Sequence, residues 1–182
     1  MKETFTFFLK QRELLYHAII EAFPERAKIY PQGALLAGPS ASLKGGWIVV
    51  HGLVKEYWYD SPGNQVVSGF LHSRDIIVQD HLLYGEAPEP CFFELIEDSE
   101  LIFFSIDEMQ ISGSKRFPAD MLHQISLTSL ARQRLYNAIL RLPLKEAVRY
   151  IKALYPLNRI QRKDLASFMG VTASTVSRAL QK

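Results

Sequence analysis

The 182-residue sequence predicts an α+β protein: a block of short antiparallel strands, entered by one helix and left by a long helix and a compact helical hairpin. Three observations carry this. Apolar residues recur at helical spacing near both ends. Between Gly33 and Ile106, runs of β-branched and aromatic residues alternate with turn residues. Near the C-terminus, Gly170 separates two short segments that each present an apolar face.

The first helix is read over Phe5 to Phe23, where Phe8, Leu14, Leu15, Ala18, Ile19 and Ala22 fall on one face and Pro24 closes the segment. Strands follow at Ala34–Ala37, Trp47–His51, Leu53–Tyr59, Gln65–Leu71, Phe92–Ile96 and Leu101–Ile106. Asp60-Ser61-Pro62-Gly63-Asn64 is a turn: proline presets φ and glycine accepts positive φ. Such close turns fit an antiparallel barrel or sandwich rather than a parallel sheet. Ile77 to Pro90 fits a strand poorly and is read as a loop, with a short helical turn around His81–Tyr84.

A helix is predicted from about Pro118 to Leu142, roughly 36 Å long at 1.5 Å per residue. Its apolar positions cover more than one stripe, enough for its own barrel and for a second subunit. Pro143 then opens a short helix, Leu144 to Leu154, which Pro156 ends.

Composition excludes several classes. The chain is 48% apolar and 22% charged, which is ordinary for a globular protein. The single cysteine, Cys91, excludes an intrachain disulfide framework and a thiolate-rich zinc or iron–sulfur site. No apolar run approaches the ~18 residues of a spanning helix. Met1-Lys2-Glu3-Thr4 lacks the features of a secretory signal, so a cytoplasmic setting without a membrane partner is expected. No His-x-His pair, phosphate loop or Ser-His-Asp constellation is present, so the chain is not expected to be an enzyme, and no cofactor is expected.

Charge is unevenly distributed. From Arg141 onward there are nine Lys and Arg against two acids, a net of +7, while the first 140 residues carry twelve bases and seventeen acids, a net of −5. A basic terminal segment suggests a polyanion partner. The same segment has the layout of a helix-turn-helix. Leu165, Ala166 and Met169 give the inner face of its first helix, and Gly170 ends that helix in a left-handed conformation. Val171 fills the corner, Thr172 or Ser174 caps the second helix, and Val176 and Leu180 pin it down. Its polar face carries Ser174, Thr175, Ser177, Arg178 and Lys182. With Arg162, Lys163 and Thr172, these are the candidate DNA-binding residues, suited to phosphates and base edges. A plain structural hairpin is the alternative; the charge bias favours double-stranded DNA.

This order of parts resembles the Crp/Fnr family of bacterial transcription regulators. Gly33-Ala34-Leu35-Leu36 is similar to the family's first barrel strand, and Gly52-Leu53-Val54-Lys55-Glu56-Tyr57 with Pro62-Gly63-Asn64 to a later strand and hairpin. Phe93 to Leu101 is similar to its late strands, and Asp164-Leu165-Ala166 through Arg178 is the sharpest match. The resemblance implies an antiparallel, jelly-roll-like β-roll with an N-terminal helix over 1–117, a dimerisation helix over 118–142, and a winged-helix-like helix-turn-helix over 143–182 whose wing is missing. It implies a homodimer that places two recognition helices in successive major grooves of a near-palindromic operator.

The departures concern the ligand. Family members that bind cyclic nucleotide carry a Gly-Glu pair for the ribose and an arginine for the phosphate. At the matching loop this chain has Ile76-Ile77-Val78-Gln79, and Glu89-Pro90 stands where the arginine would fall. A glutamate repels phosphate, so control by cyclic nucleotide is not expected. A pocket for another small-molecule effector would draw on Arg74, Gln79 and Glu89. At the recognition helix, Ala173-Ser174 replaces the Arg-Glu pair of the cyclic-nucleotide branch, leaving Arg178 as the guanine-competent donor. The alternative function is a ligand-binding or dimerisation module whose shortened helix-turn-helix no longer binds specific DNA.

Overall fold

The computed structural model describes residues 2–23, 26–37, 45–79, 91–105 and 121–181. The predicted turn at His81–Tyr84, the strand end at Ile106, the helix start before Met121, and the residues Glu89 and Lys182 lie outside them.

The elements are α1 (Lys2–Ala22), β1 (Ala27–Tyr30), β2 (Leu35–Ala37), β3 (Gly45–His51), β4 (Leu53–Tyr59), β5 (Gln65–His72), β6 (Ile76–Ile77), β7 (Phe92–Leu95), β8 (Ser99–Ser105), α2 (Met121–Leu140), α3 (Leu144–Leu154), α4 (Arg162–Met169) and α5 (Ala173–Leu180). The strands form two four-stranded sheets, β1-β8-β3-β6 and β2-β7-β4-β5, with antiparallel pairing throughout.

Alternation along each strand explains how the roll is filled. Trp47, Val49, Val54, Leu71, Ile77, Phe93, Leu95 and Leu101 meet between the sheets. Ile48, Ile76, Ile102 and Phe104 of the first sheet belong to a second cluster, formed with Leu15, Ile19 and Phe23 of α1 and with Met121 and Ile125 of α2. Leu53, Tyr57, Val67 and Phe70 of the second sheet pack with Ala131, Leu135 and Ile139 of α2 and with the buried residues of α3, α4 and α5. Each sheet is therefore covered on both faces. That is why these strands read as nearly continuous apolar runs rather than a clean alternation.

Several boundaries move. The first helix begins at Lys2, and β3 begins at Gly45. Two strands are additional. β1 pairs with β8 although three of its four residues are exposed, and β6 holds only two residues, paired with β3. Pro143 is the residue before α3 rather than its first residue, with ψ at 139°. The long helix does have two apolar aspects: its buried stripe faces the roll and α1, while Leu130 and Leu140 face outward.

Candidate nucleic-acid interface

The hairpin α4–turn–α5 is built as its sequence dictates. Leu165, Ala166 and Phe168 are buried, and Gly170 terminates α4 with φ 64° and ψ 31°. A Cβ on Gly170 would meet nothing within 4 Å, so glycine is needed there for its backbone angle and not for space. Val171 N–H donates to the Ala166 carbonyl at 3.0 Å, which closes the turn. Of the two candidate caps, Thr172 fills the role: its Oγ1 accepts from Thr175 N–H at 3.3 Å. Val176 is fully buried and anchors α5.

The expected contact residues divide by exposure. Arg162 and Lys163 open α4 and are exposed, as are Thr172, Ser174 and Arg178. Thr175 and Ser177 are half-buried. The Ser177 hydroxyl donates to the Ala173 carbonyl at 2.9 Å, leaving its lone pairs for an outside donor. The Thr175 Oγ1 lies 2.9 Å from Thr172 Oγ1 and accepts from Arg178 Nη2 at 3.5 Å. Arg178 thus begins from a partly ordered pose.

The inner face of α4 differs from the expected one. Met169 packs half-buried against the core, and Phe168 joins it there, buried, its ring 5.6 Å from that of Phe70 and 5.1 Å from that of Tyr136. Asp164 is also buried, and lies 3.7 Å from the buried ammonium of Lys55 on β4. The i, i+3, i+4 spacing of Asp164, Ser167 and Phe168 was the available signal of a second packed face.

Of the residues expected in an effector pocket, Arg74 and Gln79 are described and Glu89 is not. Arg74 sits on the turn after β5, about half exposed, and donates to Glu13 of α1 at 2.8 Å. It adopts a left-handed φ of 76°, imposed by a turn in which Asp75 accepts from His72 N–H at 2.7 Å. Gln79 is buried just after β6. Neither lines the cavity of about 500 Å³ between α2 and the β4–β5 ribbon. That cavity is lined by Glu56 and Ser68 from the roll and by Ser129, Arg132, Gln133 and Tyr136, among others, from α2. Sequence reasoning missed it, because one arginine on a long helix looks like any solvated charge.

Arg132 Nη2 lies 3.4 Å from Glu56, while its Nη1 and the Ser68 hydroxyl are buried without a hydrogen-bond partner. Burial acts most strongly against the guanidinium charge, but Glu56, Tyr136, Asp75 and Tyr155 together more than offset it and keep the group protonated. The cavity wall leads to the hairpin: the Tyr136 ring packs on that of Phe168, and its hydroxyl donates to the Phe70 carbonyl at 2.6 Å and hydrogen-bonds the Tyr155 hydroxyl at the end of α3. Burial pushes both phenols well above their ordinary value, so both are neutral donors. Among the described residues, no group of His, Cys, Asp and Glu could hold a metal ion, and no helix is long and apolar enough to cross a membrane.

No family model matches the chain. The fumarate and nitrate reduction regulatory protein of Escherichia coli (strain K12) is 25% identical over 172 residues, covering 86% of this chain and 68% of that one. Among solved structures, FixK2 from Bradyrhizobium japonicum superposes with a TM-score of 0.65 at 18% identity, covering 85% of this chain and 82% of its own. The regulator CLP of Xanthomonas campestris superposes at 0.62 and 20% identity, covering 91% and 90%. In fold and in sequence the chain is similar to transcription regulators of the Crp/Fnr family. The Crp/Fnr architecture of roll, long helix and helix-turn-helix accounts for every described element, and the relatives are regulatory proteins rather than enzymes.

Proposed function

We propose that this Crp/Fnr-type regulator works as a homodimer that reads a near-palindromic operator through α5, and that it does so without cyclic nucleotide. The observation that carries the reading is the exposed face of α5, with Ser174 and Arg178 at its surface, held by the Gly170 corner and the Thr172 cap. Arg178 is the donor fit for a guanine edge, and Arg162 and Lys163 serve phosphates. The dimer is supported by apolar side chains left outward on adjoining helices: Phe7 and Leu14 on α1, and Leu130 and Leu140 on α2. A groove of about 320 Å³ lies between these helices, lined by Phe7, Leu127 and Leu130.

The cavity beside Arg132 is the effector site in this reading. Arg132 and Glu56 together are electrically neutral, so the site accommodates at most one negative charge, placed on the open Nη1. A ligand there touches Tyr136, which in turn touches Tyr155 at the end of α3 and Phe168 of the hairpin.

Selection from random duplex DNA at near-physiological salt tests the reading. An enriched palindrome with half-sites about one helical turn apart is expected. Weak, salt-sensitive binding without enrichment would instead mean a hairpin that no longer reads sequence. Cyclic AMP is expected to change neither the melting temperature nor the DNA affinity; a shift with cyclic AMP that disappears in Arg132→Met would overturn that part.

A further inference from the structure

The hairpin is keyed to the roll by directional polar contacts. Among the described strands β5 is at an edge, and its Val67 N–H, next to the register shift between Glu56 and Tyr57, points away from β4. Ser167 of α4 takes that group: its Oγ accepts from Val67 N–H at 3.0 Å and lies 3.4 Å from the Gln65 carbonyl. Lys55 of β4 reaches the same helix. Its ammonium lies 3.7 Å from Asp164, 3.3 Å from Glu94 of β7, and 3.3 Å from the Gln65 side-chain oxygen. Arg159, just before α4, pairs with Glu97 after β7.

These contacts are poorly explained as stabilising devices. A buried ion pair loses about as much in desolvation as it gains in attraction, and its best-attested use is to select one geometry. The apolar part of the seam, Phe168 among Phe70 and Tyr136, holds the surfaces together but permits sliding and rotation. Ser167 and Asp164 do not: each meets its partner in one position of α4 on the sheet.

We infer that Lys55, Asp164 and Ser167 are positioning residues that set the angle and distance at which α5 is offered, and hence the half-site spacing that the dimer accepts. This rests on the dimeric reading above. One base pair of extra spacing moves a half-site by about 3.4 Å and turns it by roughly 35°. An α4 fixed at two strands cannot follow such a displacement, whereas an α4 held only by Phe168 can.

The experiment is parallel selection from random duplex DNA with the wild type, Ser167→Ala, and the double variant Asp164→Asn/Ser167→Ala. In both variants Lys55 keeps Glu94, so no buried charge is stranded. The wild type is expected to prefer one spacing at least tenfold over its neighbours. The variants are expected to enrich the same half-site sequence, with the spacing preference reduced to threefold or less, and Ser167→Thr, which keeps a hydroxyl, is expected to restore it. Wild-type spacing preference in the folded variants overturns the inference and leaves the dimeric reading intact. A wild type that enriches no spaced pair overturns both. A merely destabilised hairpin would lose half-site sequence and spacing together, and that result also counts against positioning.

Discussion

The two sheets of the roll are both covered by helices, but by different chemistry. Over the first sheet, α1 and the start of α2 lay down Leu15, Ile19, Phe23, Met121 and Ile125, an apolar seam with the Arg12–Asp75 pair at its margin. Over the second sheet, the end of α2 and the hairpin bury Lys55, Asp164, Tyr136 and Tyr155 among their apolar neighbours, with Arg132 nearly enclosed. The first seam needs only to be tight. The second needs to be tight in one arrangement, and polar groups in a dry site impose that condition because each must find its partner. The cavity and the helix-turn-helix hairpin both lie on the second side.

Substitutions can break this contrast. Phe104→Ala, in the apolar seam, is expected to cost about 3–5 kcal/mol in urea unfolding while the folded fraction selects the same DNA sequence. A changed sequence preference would mean the first seam also positions the reader. Arg178→Ala should do the opposite: a loss of about 1–3 kcal/mol in specific DNA affinity with an unchanged melting temperature. Thr172→Ala removes the cap of α5 and should lower stability by about 1 kcal/mol, with a smaller loss of DNA affinity read by titration.

The smallest effect is acid sensitivity. Burial lowers the His72 pKa from its ordinary 6.5, and the positive charges of Arg159 and Arg12 lower it further, with His51 acting the same way and Glu97 against. The unfolded chain then binds the proton more readily, so this contribution to stability is present above pH 6.5 and is lost as pH falls below it. Unfolding curves of His72→Gln should show a shallower fall between pH 7 and about pH 5.5 than the wild type.

Local chemistry was legible in the sequence, and tertiary pairing was not. Gly170, Thr172 and Val176 announced the hairpin because caps and corners are short-range. The Asp60–Asn64 turn announced β4 and β5 in the same way: Asp60 Oδ1 accepts from Asn64 N–H at 2.7 Å. β1 was invisible, since Ala27–Tyr30 has no alternation of its own and becomes a strand only against β8. Of the cavity residues, none was singled out for that role. Arg132 gains meaning only when Glu56 is folded against it, and Ser167 only when Val67, 100 residues earlier, turns its amide outward. Arg74 was named instead because a cation near the expected loop was all the linear sequence offered.

The capping of β5 has a consequence for how this protein can be divided. Ser167 and Tyr136 occupy backbone groups on an open sheet edge, the kind of edge that recruits strands from other molecules. A fragment ending at Leu142 would retain every strand of the roll and keep Tyr136, yet would uncover Val67 N–H and the apolar surface beneath Phe168. Such a piece should self-associate, and the hairpin therefore doubles as a cover for the open edge of the roll.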